Sequence, residues 1–85
     1  MPCYYIIAMR VENREKTAAQ LQEVLTKNGC NIRTRLGLHE ASETYCANDG
    51  LIILQPCGEK EVVESLLNDL NSLAGVTAKL IDLND

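Results

Sequence analysis

Aromatic side chains and histidine are scarce in this chain of 85 residues, which has three tyrosines, no tryptophan, no phenylalanine and one histidine, His39. Sheets that bind single-stranded RNA stack bases on aromatic side chains, but the apolar segment LIILQPC at 51–57 contains none. Positive charge is in short supply as well, since the formal net charge is −4, and phosphate backbones are bound mainly through Lys and Arg. We therefore expect no direct binding of nucleic acid.

Long hydrophobic runs are missing too. No apolar stretch approaches the roughly 20 residues that a membrane-spanning helix needs. The N-terminal segment MPCYYIIAMR has too short an apolar run for a signal peptide and lacks a small-residue cleavage site. These absences predict a soluble cytoplasmic protein without a membrane partner. The length predicts one domain over residues 1–85, and a domain of this size buries only about 60–65% of its unfolded surface, so partner chains are expected.

Recognisable catalytic sets are absent. A Ser/His/Asp or Cys/His site would have to use His39, and the sequence identifies no group that would orient it. The chain has no Cys-x-x-Cys pair, which disfavours a redox motif or a zinc knuckle. We therefore predict that the protein is not an enzyme. Its four cysteines are expected to be free thiols, because the cytoplasm is reducing.

The apolar patterns predict two similar halves. Strand segments are rich in β-branched and aromatic residues or alternate in polarity, whereas helical segments repeat apolar residues every three or four positions. The predicted elements, in chain order, are strand 4–11, helix 12–29, strand 30–39, strand 51–57, helix 59–73 and strand 76–83. Two strand–helix–strand units with right-handed crossovers give the ferredoxin-like βαββαβ fold. It is an α+β two-layer sandwich with an antiparallel sheet of order 4-1-3-2 and both helices on one face.

The strands at 4–11 and 51–57 are predicted to be central, because they are apolar on both faces. Both helices cover the same side of the sheet. The other side, called the open face below, is left with apolar side chains from these two strands. Contiguous exposed apolar patches are uncommon on monomers and usually mark interfaces. We predict a homodimer or homotetramer formed through this face, an edge strand, or both, with a tolerated half-exposed face as the alternative.

The chain resembles the regulators proposed for iron-only hydrogenase systems in three segments: YYIIAMRVENREKTAAQLQEVL, IRTRLGL and GLIILQPCGEKEVVESLLNDLNSLAGVTAKLIDL. The most specific parts are VENREKT, RLGL and LAGV. Members of that family are small proteins with an ACT-like fold, similar to the C-terminal domain of nickel-responsive regulators. The resemblance implies an oligomeric domain for transcription regulation, whose partner is a small effector or a hydrogenase-system protein.

Metal ligation is a second implication of the resemblance. Nickel-responsive domains bind the metal with several histidines and a cysteine at a subunit interface. In this chain His39 and Cys46 lie in the comparable strand and loop, and Gly37 stands where a second histidine is wanted. Square-planar nickel needs four donors, and imidazole also suits other metals. His39 and Cys46 are candidate ligands of an inter-subunit site, and a surface histidine with a loop cysteine is the alternative.

Three further cysteines form another candidate set. In the predicted topology the starts of the first two strands and the end of the third meet at one end of the sheet, where strands are about 4.8 Å apart. Cys3, Cys30 and Cys57 occupy these positions. Three thiolates could bind zinc or an iron–sulfur species, or report oxidation, and the alternative is that they are structural apolar residues. No cofactor is predicted other than a metal ion at one of these two sets.

Five residues are candidates for binding a small ligand. The alternation of strand 30–39 predicts that Arg33, Arg35 and His39 share the open face. Guanidinium groups suit carboxylate or phosphate, and an edge strand kept soluble by charge is the alternative. Asn13 and Arg14 lie where the first strand meets the first helix. A helix N-terminus offers free N–H groups to an anion, although ordinary capping by Asn13 explains that residue as well.

These observations predict a regulatory domain that assembles symmetrically and binds a small effector or a partner protein at subunit boundaries. A ligand that binds one arrangement of subunits better than another shifts the population toward it. Two alternatives stay open. The first is a metal or redox sensor that uses the cysteines and His39. The second is a structural assembly factor without a small ligand.

Overall fold

The computed structural model describes residues 2–12, 15–38 and 49–84. Its elements follow the predicted order, with boundaries no more than three residues from those predicted. In chain order they are β1 (Tyr5–Glu12), α1 (Glu15–Lys27), a 3-10 turn (Gly29–Asn31), β2 (Ile32–Leu38), β3 (Asp49–Pro56), α2 (Lys60–Asn71) and β4 (Val76–Asp82). None of the helices in these ranges is long and apolar enough to cross a membrane.

The four strands form one antiparallel sheet in the order β2-β3-β1-β4. This order is the predicted 4-1-3-2 counted from the other edge, so the ferredoxin-like fold is confirmed. β1 and β3 lie in the centre, as their apolar character on both faces predicted. β2 and β4 are the two edges.

Both helices bury an apolar stripe against one side of the sheet. Leu21 and Leu25 are one turn apart on α1, and Val63, Leu66 and Leu70 repeat at helical spacing on α2. Side chains at these spacings lie on one face of a helix. They pack in one core with residues of β1, β3 and β4: Ile7, Met9, Leu54, Val76 and Ala78. The core therefore lies between the helices and the sheet, and neither of the two described helices covers the opposite side of the sheet.

The turn between α2 and β4 is tied to the start of α1. Gly75 has a φ of 84°, a conformation that glycine adopts without a Cβ clash. Its carbonyl accepts a hydrogen bond of 2.8 Å from the backbone N–H of Glu12. The buried hydroxyl of Thr17 donates to the carbonyl of Ala74 at 2.9 Å. A Cβ at Gly75 would lie 3.3 Å from both the Glu12 Cβ and the Thr17 hydroxyl oxygen, so the turn has little room for a larger residue.

A disulfide joins Cys3 and Cys57. Cys3 precedes β1 and Cys57 follows β3, and antiparallel pairing of the two strands brings these ends together, with 4.2 Å between the Cα atoms. The expectation of free thiols is therefore wrong for this pair. That expectation rests on a reducing compartment, and the sequence does not determine the compartment. Cys30 lies in the 3-10 turn and is a free, exposed cysteine.

Candidate ligand cleft at the end of the open sheet face

The open face carries most of the exposed large apolar side chains of the described residues. Cross-strand partners share a face of a sheet, and the register pairs Ile6 with Ile81, Ala8 with Ile53, and Leu36 with Ile53. The exposed large apolar side chains on or beside this face are Tyr4, Leu36, Leu51, Ile81 and Leu83. The predicted apolar open face is thus confirmed for the described residues, while its burial in an oligomer stays a prediction.

A register shift in β2 changes the faces that its side chains occupy. Ile32 pairs with Pro56, and Thr34 pairs with Gln55, so Arg33 is an extra residue between them. An extra residue in one strand of an antiparallel pair re-aims the side chains around it. Ile32 accordingly packs against the core, whereas Thr34 and Leu36 lie on the open face. The simple alternation predicted for this strand is interrupted here.

Arg35 lies on the helix side of the sheet. It pairs with Leu54, whose side chain is buried under the helices. Its guanidinium Nη1 donates a 3.3 Å hydrogen bond to the Gln22 side-chain oxygen on α1. The prediction that Arg33 and Arg35 share the open face is therefore wrong. The extra residue in β2 separates the two arginines, which strict alternation would have kept together.

Arg33 lines a cleft of about 870 Å³ at the end of the open face. We call it the Arg33 cleft, and its lining consists of Pro2, Cys3, Tyr4, Arg33, Gln55, Leu83 and Asn84. The cleft is formed where the segment before β1 runs beside the end of β4, since the backbone N–H of Leu83 donates to the Tyr4 carbonyl at 2.8 Å. Four chain segments thus supply the lining, and they are far apart in the sequence.

Side-chain hydrogen bonds hold two walls of the Arg33 cleft in place. The Gln55 Nε2 donates to the carbonyl of Cys3 at 2.9 Å, and its Oε1 accepts from the Thr34 hydroxyl at 3.3 Å. The Asn84 Oδ1 accepts from the backbone N–H of Tyr4 at 3.2 Å. Both amide side chains therefore use their polar groups to join strands and the N-terminal segment. They shape the cleft, and each amide nitrogen already donates one hydrogen bond within the protein.

Arg33 is the cation of this cleft. It makes no hydrogen bond or ion pair with any residue in the described part of the chain. A guanidinium offers five N–H donors in a planar fork that matches carboxylate and phosphate. The Tyr4 hydroxyl belongs to an exposed side chain that also lines the cleft and can donate or accept. Chemically, the arrangement favours an anionic group held by Arg33, with an apolar or aromatic portion against Tyr4 and Leu83.

A carboxylate lies close to this end of the sheet. The backbone and side-chain N–H groups of Asn84 both donate to the Asp82 carboxylate at 2.9 Å, and they hold the pKa of that carboxyl below its ordinary value. On the helix side, burial raises the pKa of the Tyr5 phenol, and the negative charge of Asp82 adds to the effect. Asp82 is therefore ionised at neutral pH and already neutralised in part by local donors.

The remaining predicted site residues divide into two groups. Asn13, Arg14, His39 and Cys46 lie outside the described residues. Cys30 lies close to the disulfide, because its neighbour Asn31 accepts a 2.7 Å hydrogen bond from the backbone N–H of Cys57. Cys3 and Cys57 offer no thiolates while they are joined. Among the residues with described positions, no group of three His, Cys, Asp or Glu side chains could hold a metal ion.

Five members of the Arg33 cleft were not identified from the sequence: Pro2, Tyr4, Gln55, Leu83 and Asn84. Tyr4, Gln55 and Asn84 come from the segment before β1, from β3 and from the segment after β4. Gln55 gave one usable signal, because it is a polar residue in an otherwise apolar central strand. A polar side chain in such a strand requires a hydrogen-bond partner or a functional role. Tyr4 and Asn84 gave no signal, since their proximity depends on strand register.

No protein-family model and no curated protein matches the chain. Among solved structures it is similar to the uncharacterized protein TM1266 from Thermotoga maritima. The two are 29% identical, the match covers 94% of this chain and 95% of that one, and the TM-score is 0.82.

It is also similar in structure to the ACT domain of GTP pyrophosphokinase from Chlorobium tepidum. The identity is 19%, the match covers 94% of this chain and all of that domain (100%), and the TM-score is 0.70. A formyltetrahydrofolate deformylase from Pseudomonas putida KT2440 matches with 10% identity and a TM-score of 0.58, over 95% of this chain and 29% of the enzyme. At these identities the last two similarities concern the fold alone. The chain therefore has the ACT-like form of the ferredoxin-like fold.

Proposed function

We propose that the chain is a regulatory domain that assembles with copies of itself and binds a small anionic effector in the Arg33 cleft. The observation on which this proposal depends is the guanidinium of Arg33, which has no partner among the described residues and lines a cleft of about 870 Å³. Ligand sites commonly have volumes of roughly 300–1,000 Å³ and a few polar groups that fix orientation. The proposed role is binding without catalysis.

Self-assembly through the open face is the second part of the proposal. Five large apolar side chains are exposed on or beside this face, and contiguous apolar surface usually marks an interface. Tyr4 and Leu83 belong both to this surface and to the lining of the Arg33 cleft. A ligand in the cleft would therefore lie beside a neighbouring subunit. A ligand that prefers one subunit arrangement shifts the population to it, and this is the proposed mechanism of regulation.

The finer assignment rests on the family resemblance of the sequence. We propose that the assembly acts in an iron-only hydrogenase system and affects transcription through a partner protein. Support comes from the segments VENREKT, RLGL and LAGV and from the ACT-like fold. Co-purification of a tagged chain from its native host tests this assignment. Recovery of hydrogenase-system proteins, absent from an untagged control, is expected, and a preparation without any of them would argue against it.

The effector proposal is tested by thermal denaturation with amino acids, nucleotides and inorganic phosphate as probes. A ligand of the native state stabilises it by about 2.7 kcal/mol at a concentration of 100 Kd. Arg33→Ala is expected to abolish the shift in melting temperature. Arg35→Ala is the matched control, because Arg35 is in the same strand but is hydrogen-bonded to Gln22 on the helix side. Equal loss in both variants, or no shift with any probe, would contradict the cleft as the effector site and would favour a structural assembly factor.

A redox sensor is the second candidate, and the Cys3–Cys57 disulfide favours it. Cys3 is half-buried and lines the Arg33 cleft, and we expect a thiol reagent to approach the disulfide from there. A dithiol would reduce the bond to two thiols while becoming a disulfide itself. We expect the reduced chain to differ from the oxidised chain in ligand-induced melting shift or in subunit number. Identical behaviour of both forms by light scattering and thermal denaturation would leave the disulfide with a structural role only.

A further inference from the structure

The two sulfurs of the disulfide differ in their surroundings. Cys57 is 8% exposed, and its backbone N–H donates to the carbonyl of Asn31 at 2.7 Å. Cys3 is half-buried and lines the Arg33 cleft, whereas Cys57 does not line it. In thiol–disulfide exchange the attacking thiolate must reach a sulfur, and access is one of the factors that decide which sulfur it attacks. We therefore expect a thiol in the cleft to attack Cys3.

The same cleft contains a cation. Among the described residues that line it, Arg33 alone is charged, and its side chain is exposed. Asp82 does not line the cleft, and its carboxylate accepts two hydrogen bonds from Asn84. The chain as a whole has a formal net charge of −4, which disfavours the approach of anions elsewhere on its surface. Attraction of an anion into the cleft therefore depends on Arg33.

The wall that contains Cys3 is held by more than the disulfide. The backbone carbonyls of residues 2, 3 and 4 each accept a hydrogen bond from a distant part of the chain. In that order, the donors are the Gly58 N–H at 2.9 Å, the Gln55 Nε2 at 2.9 Å and the Leu83 N–H at 2.8 Å. We expect these bonds to keep the segment in place when the disulfide opens, so that Cys3 and Arg33 continue to share the cleft.

We infer that the Arg33 cleft binds a low-molecular-weight thiol that carries a carboxylate, and that this thiol forms a mixed disulfide with Cys3. This deepens the proposed function, because it rests on the Arg33 cleft as an anion site and names the chemical class of a ligand. The planar guanidinium holds the carboxylate, while the sulfur of the ligand reaches the Cys3 sulfur. The ligand is thus first bound by charge and then attached covalently.

The exchange requires no further oxidant or reductant. The thiol of the ligand loses its proton to water, and the resulting thiolate attacks the Cys3 Sγ. A bond forms between the ligand sulfur and the Cys3 Sγ while the bond between Cys3 and Cys57 breaks. The electron pair of the broken bond leaves with the Cys57 Sγ, which takes up a proton from water. One disulfide replaces another, so atoms and electrons balance.

Binding at Arg33 accelerates this step. A thiol held in the cleft reacts within one complex, so the entropy of bringing the two sulfurs together is largely lost on binding. The cleft of about 870 Å³ has room for a molecule with a flexible chain between its carboxylate and its sulfur. Tyr4 and Leu83 provide aromatic and apolar surface for that chain. A thiol without an anionic group can attack the same sulfur but gains nothing from Arg33.

Matched thiols test the role of Arg33. Glutathione carries carboxylates, whereas its diethyl ester retains the thiol and has them blocked. In an oxidised Cys30→Ser/Cys46→Ser background, Arg33→Ala is expected to slow disulfide opening by glutathione about tenfold, the effect of one lost charge-assisted hydrogen bond, and to leave opening by the diethyl ester unchanged. Arg35→Ala is the control and is expected to change neither rate, because Arg35 bonds to Gln22 on the helix side. Each thiol is compared across variants, so its intrinsic reactivity cancels.

Peptide mapping identifies the sulfur that is attacked. Iodoacetamide alkylates the released thiol before it can displace the ligand, and mass spectrometry under non-reducing conditions then locates both groups. We expect glutathione on Cys3 and the alkyl group on Cys57. The reverse positions would overturn the assignment of Cys3. A disulfide that stays closed in the folded chain at every glutathione concentration would overturn the inference as a whole.

Two kinetic results would overturn the role of Arg33. The first is equal slowing by Arg33→Ala and Arg35→Ala, which would mean that the loss of an arginine anywhere on β2 has the same effect. The second is equal slowing of glutathione and its diethyl ester by Arg33→Ala, which would mean that the carboxylates are not what Arg33 binds. Circular dichroism of each variant verifies that it is folded.

Failure of this inference is distinguishable from failure of the proposed function. Inorganic phosphate has no thiol, and its effect on the melting temperature tests the Arg33 cleft separately. A phosphate shift that Arg33→Ala abolishes, together with glutathione rates that do not depend on Arg33, overturns the thiol as a ligand and leaves the anion site intact. Absence of both effects overturns the inference and the effector site together.

Discussion

The two faces of the sheet have similar side chains and different surroundings. On β1, Ile7 and Met9 point toward the helices and are buried, while Ile6 and Ala8 point the other way and are partly exposed. Antiparallel sheets with one covered face usually alternate apolar and polar residues along the strand. The central strands of this sheet do not. Their apolar character therefore exceeds what one layer of helices requires, and the excess is what a second protein surface would use.

The largest expected effect on stability concerns the covalent link between Cys3 and Cys57 at one end of the sheet. Replacing Cys3 and Cys57 with serine removes a cross-link between residues 54 positions apart. Loop-closure entropy then predicts a loss of about 4 kcal/mol in the free energy of unfolding. Urea denaturation of the variant and the oxidised wild-type chain measures it. An unchanged midpoint would mean that core packing alone holds this end.

A direct test of the comparison uses two leucines of β3 on opposite faces. Leu54 is fully buried (0% exposed) and Leu51 is 42% exposed. Leu54→Ala is expected to cost about 3 kcal/mol, because a core cavity adds to the lost transfer free energy. Leu51→Ala is expected to cost less than about 1 kcal/mol at low protein concentration.

Protein concentration sharpens this test. If the open face is an interface, Leu51→Ala destabilises the chain more at high concentration, where the wild-type assembly adds to stability by mass action. Leu54→Ala is expected to show the same cost at every concentration. A concentration-independent melting temperature for the wild type and for Leu51→Ala would break the comparison, since the open face would then be a plain solvent surface.

A smaller effect on the free energy of unfolding is expected from a substitution at the β4 edge. Asn71→Ala removes two hydrogen bonds to Ala78, and the freed backbone groups can turn to water, so the expected cost is about 1 kcal/mol. The informative result is a change in association. With this edge opened, its backbone groups become available for pairing with another chain, and light scattering is expected to detect species larger than those of the wild type. Asn68→Ala, an exposed position on the same helix, is the control.

The smallest expected effect is a pH dependence at the exposed end of β4. The donors of Asn84 lower the folded-state pKa of Asp82, so its carboxylate stabilises the fold at pH values above its unfolded pKa of about 3.9. That contribution is lost as the pH falls through the lower, folded-state pKa. We therefore measure the melting temperatures of the wild type and of Asp82→Asn from about pH 6 to about pH 2. The difference between the two melting temperatures is expected to disappear at the acidic end.

Much of the fold followed from local patterns. Helical spacing of Leu21, Leu25, Val63, Leu66 and Leu70 identified both buried stripes, and β-branched runs identified the central strands. The connections between strands and helices then left few topologies, because crossovers are right-handed. The helical stripes and the strand runs depend on residues that are close together in the chain, so they can be predicted from a single sequence.

The candidate site was less predictable. Arg33 was selected, but its separation from Arg35 depends on an extra residue in β2, and a shift of one position moves a side chain to the other face. Tyr4, Gln55 and Asn84 meet only through the pairing of distant segments. Prediction of the disulfide between Cys3 and Cys57 requires both the strand register and the redox state of the cysteines.

Composition and periodicity by themselves determined the elements, their order, the covered layer of helices and the presence of an apolar open face, because each depends on side-chain type repeated at a regular interval. Only the tertiary structure decided that Arg33 lines a cleft while Arg35 bonds to α1, that Cys3 and Cys57 are joined, and that Asn71 bonds to the β4 edge. The physical reason is that each of these contacts depends on the register between strands, which is set by cooperative packing of the whole sheet.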